Sequence, residues 1–423
     1  MNFDQTKLKN GINVILSPLT STRAVSVLIL VKVGSRHETK KNNGISHFVE
    51  HLLFKGTKKR PSTLVISQEL DSIGADYNAF TSKEKTGFYI KAESANFELI
   101  ADMLSDMLTN SIFDPNEVER ERGTILEEIN MYEDNPMSKI GDFFEEDLFG
   151  ENTALGRHVI GTKDTIKSMK QKSLMEYWAK HYNKNNIVIS VAGNFNKKKV
   201  LKILEQKFSK VNTGKQNKST KKTKIKSLPE FSAHHKKTSQ AHLILGFEGL
   251  NYSHKDRYAL GVLSIILGGN MSSRLFISVR ERLGLCYFIR SSAETMEDTG
   301  IFSIQAGLDL KKIDKALTAI STELRDIKTN NVSSEELNKA KQFVKGKMAL
   351  SQEDSLDIAS FFAEQAMIRQ KISTPDEVFK KIEKVSVQDI KKVANDVIKR
   401  DKVLLSTLSP FKDINKFGKF LEF

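Results

Sequence analysis

A single cysteine, Cys286, occurs in the 423 residues, which excludes an intrachain disulfide framework and fits a reducing compartment. It lies in the apolar run Leu285-Cys286-Tyr287-Phe288-Ile289, where a buried structural thiol is expected. Prolines are few, seven in all, and the hydrophobic share of 39% is that of an ordinary globular chain. Long apolar runs are missing too. The longest, residues 24–33, is interrupted by Ser26 and Lys32 and is too short to cross a bilayer, so no membrane insertion is expected. The first residues, Met1-Asn2-Phe3-Asp4-Gln5-Thr6-Lys7, lack the basic lead and apolar core of a signal peptide. These absences lead to the expectation of a cytoplasmic protein, long enough for two or more domains.

Charge is present in excess, a net +14. Lysine dominates it and is spread along the chain, and no nucleic-acid-binding motif accompanies it. A solvated lysine-rich surface is the plainer account, and no nucleic-acid partner is expected.

The chemistry concentrates in one short stretch, Gly44-Ile45-Ser46-His47-Phe48-Val49-Glu50-His51-Leu52-Leu53-Phe54-Lys55-Gly56. Read as a helix, it has Ser46 as its N-terminal cap and Gly56 as its stop. His47 and His51, four residues apart, then share one face and can grip one divalent cation, for which zinc is the fitting metal. Glu50 flanks that face, where it can take the proton of a water activated by the metal. Val49, Leu52 and Leu53 on the other side anchor the helix in a core. The order His-x-x-Glu-His is the inverted zinc-peptidase signature.

Residues 12–16 and 25–33 read as strands ahead of this helix. A helix over 64–73 ends at Gly74, and 76–80, 81–85 and 86–92 read as strand, turn and strand. Residues 95–110 form an amphipathic helix. Asp114-Pro115 opens the next helix, which runs to about 133. Its inward stripe is Val118, Glu121, Ile125, Glu128, Ile129 and Tyr132. Buried carboxylates cost several kcal/mol unless paired or metal-bound, about 3–5 kcal/mol when left without a partner, which singles out Glu121 and Glu128. Glu127 is turned away from the stripe. A compact acidic patch follows at 142–151, then a helical stretch around Met175, a buried strand at 187–193 and a helix at 198–208.

The boundaries read as a first domain over 1–212, a basic linker or loop over 213–230, and a second domain over 231–423. In the second half, strands at 241–246, 285–291, 300–306 and 403–406 alternate with helices at 257–267, 272–283, 312–329, 334–350 and 376–399. The order of elements repeats that of the first half, without histidines on the 257–267 helix. The expected fold class is α+β, two similar domains, each a mostly antiparallel sheet flanked by helices.

Nearly the whole chain resembles the pitrilysin-like family of zinc metallopeptidases, of the two-domain kind similar to the mitochondrial processing peptidase β subunit and its bacterial relatives. In that family a glutamate seventy-odd residues after the inverted motif completes the metal site. Glu128, 77 positions after His51, has this spacing, and the helix stripe favours it over Glu127. The resemblance implies one Zn2+ per chain on His47, His51 and Glu128, Glu50 as the base, and Glu121 supporting the site. Gly74-Ala75-Asp76-Tyr77-Asn78-Ala79-Phe80-Thr81 resembles the family's edge strand that pairs with extended substrate, with Asn78, Ala79 and Phe80 as its contacts. Gly268-Gly269-Asn270 resembles a loop of the family's second domain. Arg280 and Tyr287 resemble its substrate-contacting pair. The implied activity is a zinc-dependent endopeptidase acting on peptides or unfolded segments in an enclosed chamber, as a homodimer with Arg280 and Tyr287 acting across the interface. The alternative, a non-catalytic core or assembly subunit of the same fold, predicts a defective zinc set.

Overall fold

A computed structural model describes residues 2–217, 223, 225, 228, 230–368 and 371–423. The first half contains β1 (Asp4–Lys7), β2 (Asn13–Pro18), β3 (Ala24–Val31), α1 (Ile45–Leu53), α2 (Thr63–Asp71), β4 (Asp76–Thr81) and β5 (Thr86–Glu93). It continues with α3 (Phe97–Asn110), α4 (Pro115–Asp134), α5 (Pro136–Phe149), α6 (Lys163–Ser168), α7 (Gln171–His181), β6 (Ile187–Gly193) and α8 (Lys197–Lys207). The second half contains β7 (Glu230–His235), β8 (Gln240–Glu248), α9 (Arg257–Gly268), β9 (Cys286–Thr295), β10 (Gly300–Asp309) and α10 (Ile313–Thr329). It ends with α11 (Ser334–Ser351), α12 (Ser355–Ile368), α13 (Pro375–Glu383), α14 (Val387–Val397) and β11 (Leu404–Ser409).

The two sheets have the same design. One runs β1-β2-β6-β3-β5-β4 and the other β7-β11-β8-β10-β9. In each, one pair is parallel, β2 with β6 and β7 with β11, and the rest are antiparallel. The chain is therefore the α+β duplication expected, with β1 an addition to the first sheet.

Packing shows why residues 24–31 are apolar at every position but Ser26. Val25, Val27, Ile29 and Val31 point into one core with α1, α3, α7 and α8, while Leu28 and Leu30 point into another with Ile358, Ala359 and Phe362 of α12. A strand covered on both faces has no polar side to alternate.

The domain division differs from the contiguous expectation. The chain forms two discontinuous units, Met1–Ile129, Arg157–Thr220 and Met348–Asp376 in one, and Asn130–Gly156, Lys221–Lys347 and Glu377–Phe423 in the other. Helix α12, from the second half, covers the first sheet. Helix α5, from the first half, buries Ile140, Phe144, Leu148 and Phe149 against Ile244, Ile301, Leu404 and Leu408 of the second sheet. Residues 142–151 are thus no compact acidic patch. They lie mostly on amphipathic α5, and Asp147 is buried, accepting from Ser406 Oγ at 2.6 Å and paired with His234 at 2.9 Å. Of the expected linker 213–230, residues 218–222, 224, 226, 227 and 229 lie outside the described residues, and Glu230 already belongs to β7.

Three other expectations are corrected. Residues 376–399 form two helices, because Ser386 starts a new one with a reciprocal cap to Asp389. Tyr132, expected on the inward stripe of α4, is exposed. Cys286 is half-buried, and burial pushes its thiol up to about 11.

Candidate metal centre

Helix α1 begins one residue before Ser46. Gly44, with φ +91°, is its cap residue, and a Cβ there would meet Ile160 O at 2.6 Å, so both backbone and space call for glycine. The expected cap Ser46 lies inside the helix and hydrogen-bonds to Tyr177 Oη at 2.8 Å. The capping oxygens come from Glu38, which accepts from the N–H groups of Gly44 and Ser46, each at 2.8 Å. A buried carboxylate there meets the positive end of the helix. Phe54, ahead of Gly56, closes the helix. Val49, Leu52 and Leu53 are buried as expected.

Helix α4 starts from Asp114, whose Oδ1 accepts the N–H of Asn116 at 2.8 Å. Glu121 and Glu128, two turns apart, bracket the imidazole of His51. Its Nδ1–H donates to Glu121 Oε2 at 3.0 Å, and its Nε2 lies 3.6 Å from Glu128 Oε2. His47 Nε2 lies 3.3 Å from His51 Nε2 and 3.6 Å from the same Glu128 oxygen. Among the described residues, these three side chains form the one cluster of its kind able to hold a metal ion. Glu127 points to solvent and is not part of it.

The spacing matches zinc. Ligands about 2.0–2.1 Å from a tetrahedral zinc stand about 3.3 Å from one another, close to the three separations here. Two imidazoles and one carboxylate are a donor set that zinc accepts while leaving a fourth position open.

Electrostatics separate the two histidines. Burial, aided by the neighbouring His51 charge, lowers His47 to about 4. Burial opposes a proton on His51 also, but hydrogen bonds to Glu121 and Glu128 and the charge of Glu50 outweigh it and push that imidazole up to about 9. Glu121 and Glu128 are both held below the usual carboxylate range, where burial is outweighed by the bond to His51 and, for Glu121, by Lys55. Lys55 Nζ donates to Glu121 Oε1 at 2.8 Å. Glu50, 9% exposed, is raised by burial, which outweighs its hydrogen bond from Thr81.

Asn78, Ala79 and Phe80 lie in β4, at the open edge of the six-stranded sheet. The N–H of Ala79 is taken by its neighbour's side chain, Asn78 Oδ1, at 2.8 Å. Arg280 and Tyr287 belong to the other unit. Arg280 sits in a π-helical turn, Phe276–Arg282, with its guanidinium 5.3 Å from the Tyr287 ring centre. Tyr287 is 78% exposed. Opposite β10 the register steps from Phe288 to Cys286, leaving Tyr287 as the extra residue of a bulge that turns it outward.

Sequence reasoning missed Glu38, Lys55 and Thr81. Lys55, four residues after His51, was within reach of helical spacing. Glu38 and Thr81 act through contacts no local pattern carries.

The family model described as "Insulinase (Peptidase family M16)" matches residues 13–163, and "Peptidase M16 inactive domain" matches residues 168–344. A protein of Streptomyces coelicolor named an uncharacterized zinc protease is 35% identical over 416 residues, 97% of this chain and 90% of that protein. One of the same description from Bacillus subtilis is 36% identical, over 95% of this chain and 97% of that one. The crystal structure of a protease from Helicobacter pylori superposes with a TM-score of 0.90 at 25% identity, covering 97% and 99% of the two chains. A chain of complex III2 from Candida albicans shares the fold with a TM-score of 0.83 at 20% identity, covering 99% and 100%. With relatives aligned over almost its full length, this chain belongs to peptidase family M16, the pitrilysin-like family of zinc proteases.

Proposed function

We propose that the protein is a zinc-dependent endopeptidase that hydrolyses peptides or unfolded segments bound in extended form. The observation that carries this reading is the meeting of His47, His51 and Glu128 at tetrahedral zinc spacing, with Glu50 on the turn between the two histidines. A zinc ion held by these three groups supplies a Lewis acid that lowers the pKa of water and polarises a carbonyl oxygen.

The remaining steps fall to side chains. Glu50 accepts the proton of the attacking water, holds it in an enclosed site, and returns it to the leaving amine. Glu121, itself tied by Lys55, fixes the ring and tautomer of His51. The open edge of β4 offers backbone groups at Asn78, Ala79 and Phe80 to an added strand, which fixes an extended peptide without reading much of its sequence. Arg280 and Tyr287 contact substrate, and Tyr287 donates to the developing oxyanion. The working form is a homodimer in the cytoplasm in which this pair acts across the interface. No helix among the described residues is long and apolar enough to cross a membrane.

The test follows cleavage of a quenched peptide with and without chelator, and by the Glu50→Gln protein. Cleavage lost in both cases is expected, and undiminished turnover by Glu50→Gln removes the mechanism. An inactive wild type that binds zinc would point to the non-catalytic subunit instead.

A further inference from the structure

The carboxylate of Glu50 is nearly enclosed, and the hydroxyl that donates to its Oε2 belongs to Thr81, 31 residues away. Thr81 is the last residue of β4 and pairs opposite Thr86 of β5. Side chains alternate along β4. Tyr77 and Ala79 pack on the core that contains α1, whereas Phe80 packs on the opposite face. Thr81, two residues beyond Ala79, therefore faces α1.

Thr86 Oγ1, 3.4 Å from Thr81 Oγ1, is fully buried and gives its own proton to Val33 O at 2.8 Å, so toward Thr81 it can only accept. The Glu50 carboxylate is the nearer and stronger acceptor and takes the Thr81 proton. The same strand carries the backbone groups that an extended peptide would pair with, and the Ala79 N–H donates to Asn78 Oδ1. When a peptide pairs there, β4 becomes an inner strand.

We propose that Thr81 is a positioning residue which fixes the aim of the Glu50 carboxylate from the edge strand β4, the strand to which an extended peptide would be added. This rests on the peptidase reading above. Thr81→Val keeps the branched shape and removes the hydroxyl, and Thr81→Ser keeps the hydroxyl.

The experiment measures quenched-peptide kinetics and bound zinc for the full-length, zinc-loaded protein and its variants. Thr81→Val is expected to lower kcat about ten- to a hundredfold with KM nearly unchanged and full zinc content. Thr81→Ser should stay within about threefold of wild type. Thr81→Val added to Glu50→Gln should cause no further loss, because both act through one carboxylate. Unchanged kcat in Thr81→Val, equal damage in Thr81→Ser, or additive losses would each overturn the proposal. An inactive wild type would count against the peptidase reading alone. The crystal structure of Thr81→Val then decides: a Glu50 carboxylate turned from its wild-type direction supports the role, and an unmoved one overturns it.

Discussion

Helices α1 and α9 follow corresponding strands, β3 and β8, in sheets of matching order, yet their buried faces differ in kind. Helix α9 buries Ala259, Leu260, Val262, Leu263, Ile266 and Leu267, with Gly268 and with Ser264, whose hydroxyl donates to Gly261 O of its own helix. Helix α1 buries Phe48, Val49, Leu52 and Leu53 but also Ser46 and Glu50, and it carries His47 and His51 half-buried. Three polar groups on α1 have a partner from another element: Tyr177 for Ser46, Thr81 for Glu50 and Glu121 for His51, whereas buried His47 Nδ1 has none among the described residues. Helix α11, which holds the place of α4 in the second half, has no such acids on its buried positions, only Leu337, Ala340 and Lys341. One topology thus supports an apolar core in one unit and a charged site in the other. What differs is whether neighbouring elements satisfy the polar atoms.

The contrast can be broken first at catalysis. Glu50→Gln should lower turnover by about 10²–10⁴-fold while zinc stays bound, measured by peptide cleavage and metal analysis. Substitutions on α9 that keep the protein folded should leave zinc content untouched. Stability should follow the opposite pattern. Leu263→Ala on α9 removes a fully buried side chain and should cost about 2–5 kcal/mol in denaturant unfolding.

Supporting residues sharpen the picture. Glu121→Gln should weaken zinc binding about 10–100-fold, read by chelator competition, and Glu128→Gln should lose the metal while Glu127→Gln keeps it. Loss of zinc from Glu127→Gln alone would place the carboxylate ligand one residue earlier.

Next comes pH. His51 in the metal-free protein holds its proton up to about 9. Zinc must displace that proton, so affinity should strengthen about tenfold per unit as pH rises between roughly pH 6 and pH 8. A pH-independent affinity would show that no proton is released.

The smallest effect is on the metal-free protein. The folded-state pKa of Glu50 is raised, so its ionisation opposes folding, and stability falls as pH rises through that pKa. Glu50→Gln should therefore stabilise the metal-free chain at neutral pH by about 1 kcal/mol, measured by thermal melting with chelator present.

Much of this was legible in the sequence where local periodicity carries it. The run 25–33 marked a strand, the four-residue spacing of His47 and His51 marked a shared helix face, and two carboxylates on an apolar stripe marked Glu121 and Glu128. The cap of α1 was not legible: Ser46 had the right chemistry, but the buried Glu38 carboxylate reaches the same N–H groups from outside the helix. Residues 142–151 misled for a related reason. Acidic composition suggested a solvated patch, but their apolar residues at helical spacing face a sheet built from the other half of the chain.

The sequence alone determined most of the elements, the duplication and the placing of His47 and His51 on one helix face, because these depend on the types and spacing of residues close together along the chain. Only the tertiary structure decided which unit each of α5 and α12 completes, which carboxylates meet His51, and which hydroxyl donates to Glu50. Those outcomes depend on distances between residues far apart in sequence, which spacing along the chain does not encode.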